Sequence, residues 1–87
     1  MSEENNMAFS FEIKKPENIS KTLSAVERTV RDGGGFFSGN EQNGYFSGKG
    51  VDGRYSVGDN ITITVLKKPI LASNYMVQSA ITDYFTQ

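Results

Sequence analysis

Residues 33–58 read GGGFFSGNEQNGYFSGKGVDGRYSVG and contain all nine glycines of the chain. Glycine interleaved with aromatic and β-branched residues is typical of strands that bend, bulge and turn sharply. On both sides of this stretch, hydrophobic residues recur with the spacing of amphipathic helices. The sequence therefore predicts a strand-rich middle between two helices.

The N-terminal flank predicts a strand followed by a helix. Residues 8–14 alternate apolar and polar side chains, which indicates a half-buried strand. Residues 17–31 carry one helical stripe, with Asn18 or Ser20 as the N-cap and Gly33 as the C-terminal cap. The stripe consists of Ile19, Leu23, Val26 and Val30.

The C-terminal flank repeats this order. Residues 61–65 alternate Ile, Thr, Ile, Thr and Val, which predicts a strand with one buried face. The chain reverses before it at residues 58–60. Pro69 ends the strand, and residues 71–86 predict the second helix. Its apolar side consists of Val77, Ala80, Ile81 and Tyr84.

The middle contains a short strand at residues 36–38 and a turn at residues 40–44. Residues 45–57 form either one strand bent at glycines 48 and 50 or two strands joined at Asp52-Gly53. We prefer the single bent strand. The match of residues 48–53 to the pattern GxGxxG is interpreted as a strand bulge, because strand residues rather than a helix follow it.

Together these elements predict an α+β fold, a two-layer sandwich. The order is strand, helix, three-stranded meander, helix, with a mainly antiparallel sheet and both helices on one face. We expect a disordered tail at residues 1–6 and a single domain at residues 7–87. The residues expected to be nearly fully buried are Phe11, Leu23, Val26, Ile63 and Ile81. The opposite face of the sheet carries Ser10, Glu12, Thr62 and Thr64 and has no helix to cover it.

Composition narrows the functional classes. The chain has no cysteine and no histidine, which removes a thiol nucleophile and the usual zinc ligands. We predict no catalytic, cofactor-binding or metal-binding residues. The net charge of −1 argues against nucleic acid as a partner. No apolar run approaches ~20 residues, so no membrane span is expected, and the acidic start MSEENN predicts a cytoplasmic protein.

Aromatic residues crowd the middle strands and supply a candidate interaction surface. Strand alternation sends one member of each adjacent aromatic pair outward. Arg54 lies two residues from Asp52, and we expect an ion pair between them, with anion binding by Arg54 as the alternative. The candidate surface consists of Phe36, Phe37, Tyr45, Phe46 and Arg54.

Residues 46–54 read FSGKGVDGR, and an alternating strand and an amphipathic helix follow them. This pattern resembles the polyhydroxyalkanoic acid system family of small, granule-associated bacterial proteins. The similarity is strongest over residues 46–57 and extends to the length of the chain and the order of its elements. It implies an accessory role in polyhydroxyalkanoate metabolism or at the granule surface, and it brings no catalytic residues with it.

Three hypotheses about function remain. The leading one is a non-enzymatic interaction module that uses its sheet, through residues 36–46, to bind a protein partner, a second copy of the chain or an apolar granule surface. The alternative is a small apolar-ligand binding protein with a pocket between helices and sheet. An enzyme is third, and it would need two carboxylates that converge in a cleft.

Overall fold

The structure, a computed structural model, describes residues 8–86; the predicted tail at residues 1–6 lies outside them. Within the described residues the chain forms two helices and five strands. In chain order they are β1 (Phe9–Lys14), α1 (Ile19–Asp32), β2 (Phe36–Gly39), β3 (Asn43–Gly48), β4 (Val51–Val57), β5 (Asn60–Lys67) and α2 (Asn74–Phe85).

The five strands form one antiparallel sheet in the order β1-β5-β4-β3-β2. Strands β2 to β5 follow one another as a meander, and β1 pairs with β5, so β1 and β2 are the two edges. The helices pack on the sheet and on each other, and their buried side chains join one hydrophobic core. The predicted α+β class, the antiparallel sheet and the order of elements are confirmed.

Alternation along β5 separates the two faces of the sheet. Ile61, Ile63 and Val65 are completely buried under the helices, whereas Thr62 and Thr64 point away from them. In the register of β1, Ser10 lies opposite Thr64, and its hydroxyl donates to the Thr64 hydroxyl at 3.2 Å. The polar open face predicted from the sequence is therefore present.

The predicted core is correct except at one position. Leu23, Val26, Ile63 and Ile81 are buried, but Phe11 is only half-buried. Phe11 lies on edge strand β1, where its ring stacks on that of Phe9 at 6.0 Å and one side of the strand has no neighbour within the described residues. Helical coverage is incomplete at this edge.

Helix α1 is followed by a glycine with a left-handed backbone conformation. Gly34 has φ +85°, and its N–H donates to the carbonyl of Arg31 at 2.9 Å. The N–H of Gly35 donates to the carbonyl of Val30 at 2.8 Å. These two bonds form a Schellman motif in which Gly33 is the C-cap, as predicted, and Gly34 is the left-handed residue that follows it. At the other end, Asn18 caps the helix by accepting from the N–H of Lys21.

The preferred single strand over residues 45–57 is wrong. The chain reverses at Lys49 and Gly50, which have φ values of 55° and 83°, and residues on either side belong to separate strands. Two positive φ angles in a two-residue loop match the twist of a hairpin. The alternative turn at Asp52-Gly53 is also wrong, because that pair lies inside β4, where the pairing with β5 shifts register. The meander consequently has four strands.

Two aromatic rings lie flat on glycines of the neighbouring strand. Phe46 on β3 is opposite Gly53 on β4, and Tyr55 on β4 is opposite Gly44 on β3. A Cβ on Gly53 would lie 2.6 Å from Cζ of Phe46, and one on Gly44 would lie 2.6 Å from Cζ of Tyr55. The glycines thus leave room for the rings, which then contact Phe85 of α2.

Candidate functional site

The structure separates the five residues of the predicted interaction surface into two groups. Phe37 and Phe46 are buried in the core and are not on the surface of the folded chain. Phe36, Tyr45 and Arg54 lie on the open face of the sheet. In each adjacent aromatic pair one side chain faces the core and the other faces the open side, as predicted. The candidate interaction surface therefore retains three of its five residues.

These three residues form a small cluster. The rings of Phe36 and Tyr45 lie 6.0 Å apart with a tilt of 54°, and Phe36 is 52% exposed. Tyr45 is directly opposite Arg54 in the register of β3 and β4. The predicted ion pair between Asp52 and Arg54 is absent, since the one salt bridge within residues 8–86 joins Glu27 to Arg31. Arg54 is exposed to solvent.

Edge strand β2, beside this cluster, is partly blocked for pairing with another strand. The N–H of Asn40 donates to the carbonyl of Asn43, so these two residues form a hydrogen-bonded pair. Hydrogen-bonded and non-hydrogen-bonded pairs alternate along an antiparallel ladder, and the N–H and C=O of Phe37 therefore point away from β3. The guanidinium of Arg31 donates to the Phe37 carbonyl at 2.9 Å and is held by Glu27 at 2.9 Å. Arg31 therefore occupies part of the edge that a β-strand of a partner would need.

A groove opens between the two helices and the β3–β4 hairpin, where the ligand-binding alternative expects a pocket. Its volume is about 240 Å³, and it is open on one side. Its walls are almost entirely apolar, and buried core residues such as Val26, Phe46 and Ile81 form its floor. Gly33, Gly35 and Gly48 also line it. At Gly35 the missing side chain allows close packing, since a Cβ there would lie 2.9 Å from Cγ1 of Val30.

Next to the groove an apolar turn projects into solvent. The N–H of Ala72 donates to the carbonyl of Pro69 at 3.1 Å, which places Ile70 and Leu71 at the tip of a β-turn. Ile70 is 84% exposed and Leu71 is 96% exposed. The ammonium of Lys68 donates to the carbonyl of Ala72 at 2.6 Å and fastens the base of the turn.

The first turn of α2 continues this apolar surface. Ser73 caps the helix by accepting from the N–H of Met76. Tyr75 is 78% exposed and Met76 is 60% exposed, and Met76 also lines the groove. Ile70, Leu71, Tyr75 and Met76 are hereafter called the apolar segment. Within the described residues, only Phe36 is another large hydrophobic residue with comparable exposure.

The tip of the β3–β4 hairpin lies beside Pro69, which precedes the apolar segment. A Cβ placed on Gly50 would be 3.1 Å from Cγ of Pro69, so the hairpin tip packs beside the start of the exposed turn. Lys49 at the same tip lines the groove. The groove, the apolar segment and Lys49 therefore form one continuous region of the molecule.

A second, polar recess of about 150 Å³ lies beside the β2–β3 turn. The hydroxyl of Tyr55 donates to the carbonyl of Asn40 at 2.6 Å there. Burial, and secondarily the charge of Glu27, raise the pKa of Tyr55. The recess is small, and a phenol whose proton is retained is not a base at neutral pH.

Within residues 8–86 no group of three or more carboxylates is placed to hold a metal ion. The same residues include no helix long and apolar enough to cross a membrane. Comparisons of the chain with protein-family models, with curated proteins and with solved structures found no match in any of the three. The residues of the site are therefore the basis for any statement about function.

Proposed function

We propose that this protein is a non-enzymatic interaction module of the cytoplasm that docks on an apolar surface through the apolar segment and the mouth of the groove. The observation that carries the proposal is the exposure of four large hydrophobic side chains within seven residues, next to an apolar groove. Contiguous exposed apolar surface of this kind marks interaction sites.

The energetics of the segment support docking. Complete burial of an Ile or Leu side chain gains roughly 1.5–3 kcal/mol. Ile70 and Leu71 are almost fully exposed, so their burial against a partner makes roughly 3–6 kcal/mol available. In the free chain these two side chains contribute little to the core, because neither belongs to it or packs against it. These two side chains therefore add little to the stability of the fold, and burying them against a partner would favour binding.

A polyester granule is a surface of the required kind, since it is apolar and large. The stretch that resembles the polyhydroxyalkanoic acid system family includes the β3–β4 hairpin, and that hairpin forms one wall of the groove. This coincidence supports an accessory role in polyhydroxyalkanoate metabolism or at the granule surface. A protein partner or a second copy of the chain is the alternative occupant of the same region.

Binding to polyhydroxybutyrate beads tests the proposal. We expect the wild-type protein to sediment with the beads, and we expect the double variant Ile70→Ser, Leu71→Ser to lose at least ten-fold in affinity while unfolding at an unchanged urea concentration. The matched control is Phe36→Ser, which removes the exposed aromatic residue of the open face. Loss of binding in the control, with the double variant unaffected, would transfer the site to the sheet.

The second candidate function is binding of a small apolar ligand within the groove. The groove lies between helices and sheet, as this alternative requires, and its volume of about 240 Å³ is slightly below the range of typical ligand pockets. Its open side allows a ligand to extend outward. Titration with alkyl compounds distinguishes this function from docking on a surface, because only the former saturates at one ligand per chain.

A further inference from the structure

We infer that the groove binds an anionic amphiphile, an alkyl carboxylate whose chain lies between the helices and whose carboxylate pairs with Lys49. This inference rests on the second candidate function and specifies its ligand class. Three features of the structure carry it: the charge of the lining, the backbone of Lys49 and the path of its side chain along the groove wall.

The lining is apolar with a single charge. Among the described residues that line the groove, Lys49 is the only charged one, and none is a carboxylate. The single salt bridge of the described residues does not involve Lys49, so no carboxylate of residues 8–86 lies within 4 Å of its ammonium. An apolar cleft with one unpaired cation is complementary to an apolar chain that ends in an anion.

The backbone of Lys49 is unfavourable for a lysine. It is the one non-glycine residue among residues 8–86 with a positive φ, 55°, and it occupies the first position of the two-residue hairpin loop. Asn, Asp or Gly is strongly preferred there. A side chain kept in a strained backbone conformation points to a functional role for that side chain.

The side chain of Lys49 extends along the wall of the groove. Its Cε would be 3.6 Å from a Cβ placed on Gly33, at the end of α1. The aliphatic stem therefore lies against the groove wall while the residue as a whole stays exposed, which is the usual arrangement of an amphipathic lysine. An anion at the mouth can reach the ammonium without being buried.

The volume of the groove limits the length of the alkyl chain. The cavity of about 240 Å³ has room for roughly eight heavy atoms at about 30 Å³ each, which favours a medium-length chain.

Calorimetric titration with octanoate, octanol and octylamine tests the inference. We expect octanoate to bind at one per chain and at least ten-fold more tightly than octanol, and octylamine to bind more weakly than either. The variant Lys49→Asn places a preferred residue in the turn, so it should fold at least as well as wild type. It should nevertheless lose at least ten-fold in octanoate affinity, with octanol affinity unchanged.

The variant Ala80→Trp controls for location, because Ala80 lines the groove from an exposed position and a larger side chain there would fill it. It should weaken octanoate and octanol equally. Equal binding of octanoate and octanol to the wild type would overturn the role of Lys49 and leave the ligand pocket in place. If neither octanoate nor octanol binds, both the role of Lys49 and the ligand pocket are overturned. Docking on polyester beads is measured in a separate experiment, so this result does not decide it.

Discussion

Replacement of Gly44 by alanine should destabilise the fold through the ring of Tyr55. The new Cβ would lie 2.6 Å from Cζ and from the hydroxyl oxygen of that ring, closer than the 3.0 Å below which real Cβ contacts essentially never occur. Tyr55 cannot withdraw easily, because it is 2% exposed and its ring contacts Phe37 and Phe85 at 5.9 Å each. Overpacking of this kind costs typically about 1–3 kcal/mol.

A domain of 87 residues has a free energy of unfolding of roughly 4–13 kcal/mol. We therefore expect Gly44→Ala to remove about 2 kcal/mol and to lower the melting temperature by roughly 8–16 °C. Urea denaturation followed by circular dichroism measures the loss. The matched control is Gly58→Ala, whose Cβ would meet its nearest neighbouring atom at 3.9 Å; it should leave stability unchanged or raise it by up to about 1 kcal/mol. Equal stability of the two variants would refute the account of ring-on-glycine packing.

Three further predictions concern the fold. Gly34→Ala should cost about 1–2 kcal/mol in urea denaturation because φ is +85° there, whereas Gly33→Ala should change stability by less than about 0.5 kcal/mol; equal effects would contradict the assigned helix end. Leu23→Ala should cost ~2–4 kcal/mol in the same assay, and a loss below ~1 kcal/mol would remove Leu23 from the core. The pKa of Tyr55 is raised, by burial first and by Glu27 second, so the folded state keeps a proton that the unfolded chain releases at about pH 10. The contribution of this proton to stability is fully present below that pH and is lost as the pH rises past it. The free energy of unfolding should therefore fall less steeply with pH in Tyr55→Phe than in the wild type; equal slopes in the two proteins would contradict the assignment.

Period-two alternation made most of the sheet predictable. Ile61, Ile63 and Val65 face the core because each strand has one covered and one open face, and a shift by one residue would expose all three. The same rule predicted that Phe36 and Phe37 point in opposite directions. The predicted apolar side of α2 did not include Phe85, although this residue is 1% exposed and contacts two aromatic residues of the core.

The β3–β4 hairpin could not be located from the sequence because the local signals conflict. Asp52-Gly53 is a favoured turn dipeptide, but its glycine is required inside β4 to accommodate Phe46. The true turn begins with Lys49, a residue that rarely adopts a positive φ. Tertiary packing thus outweighs turn preference at both positions.

A pocket between helices and sheet was one of the hypotheses, but the residues that form the binding region could not be predicted because they are distant in the chain. Ile70 and Leu71 fit neither the strand pattern of β5 nor the stripe of α2, so nothing in their spacing indicated exposure. The groove forms where the end of α1, the β3–β4 hairpin and α2 converge. Lys49 at the mouth of the groove could not be identified from the sequence, because its proposed role depends on its backbone angle and on the residues around it in the fold.

Amide hydrogen exchange of the protein with and without polyhydroxybutyrate beads shows which residues become protected on the polymer. If the apolar segment docks on it, exchange slows on the beads over residues 69–77, which include that segment and the exposed start of α2. Exchange should then stay unchanged over residues 36–46, where the open-face aromatics lie. Slower exchange over residues 36–46 with residues 69–77 unaffected would contradict docking by the apolar segment and assign the interaction to the sheet.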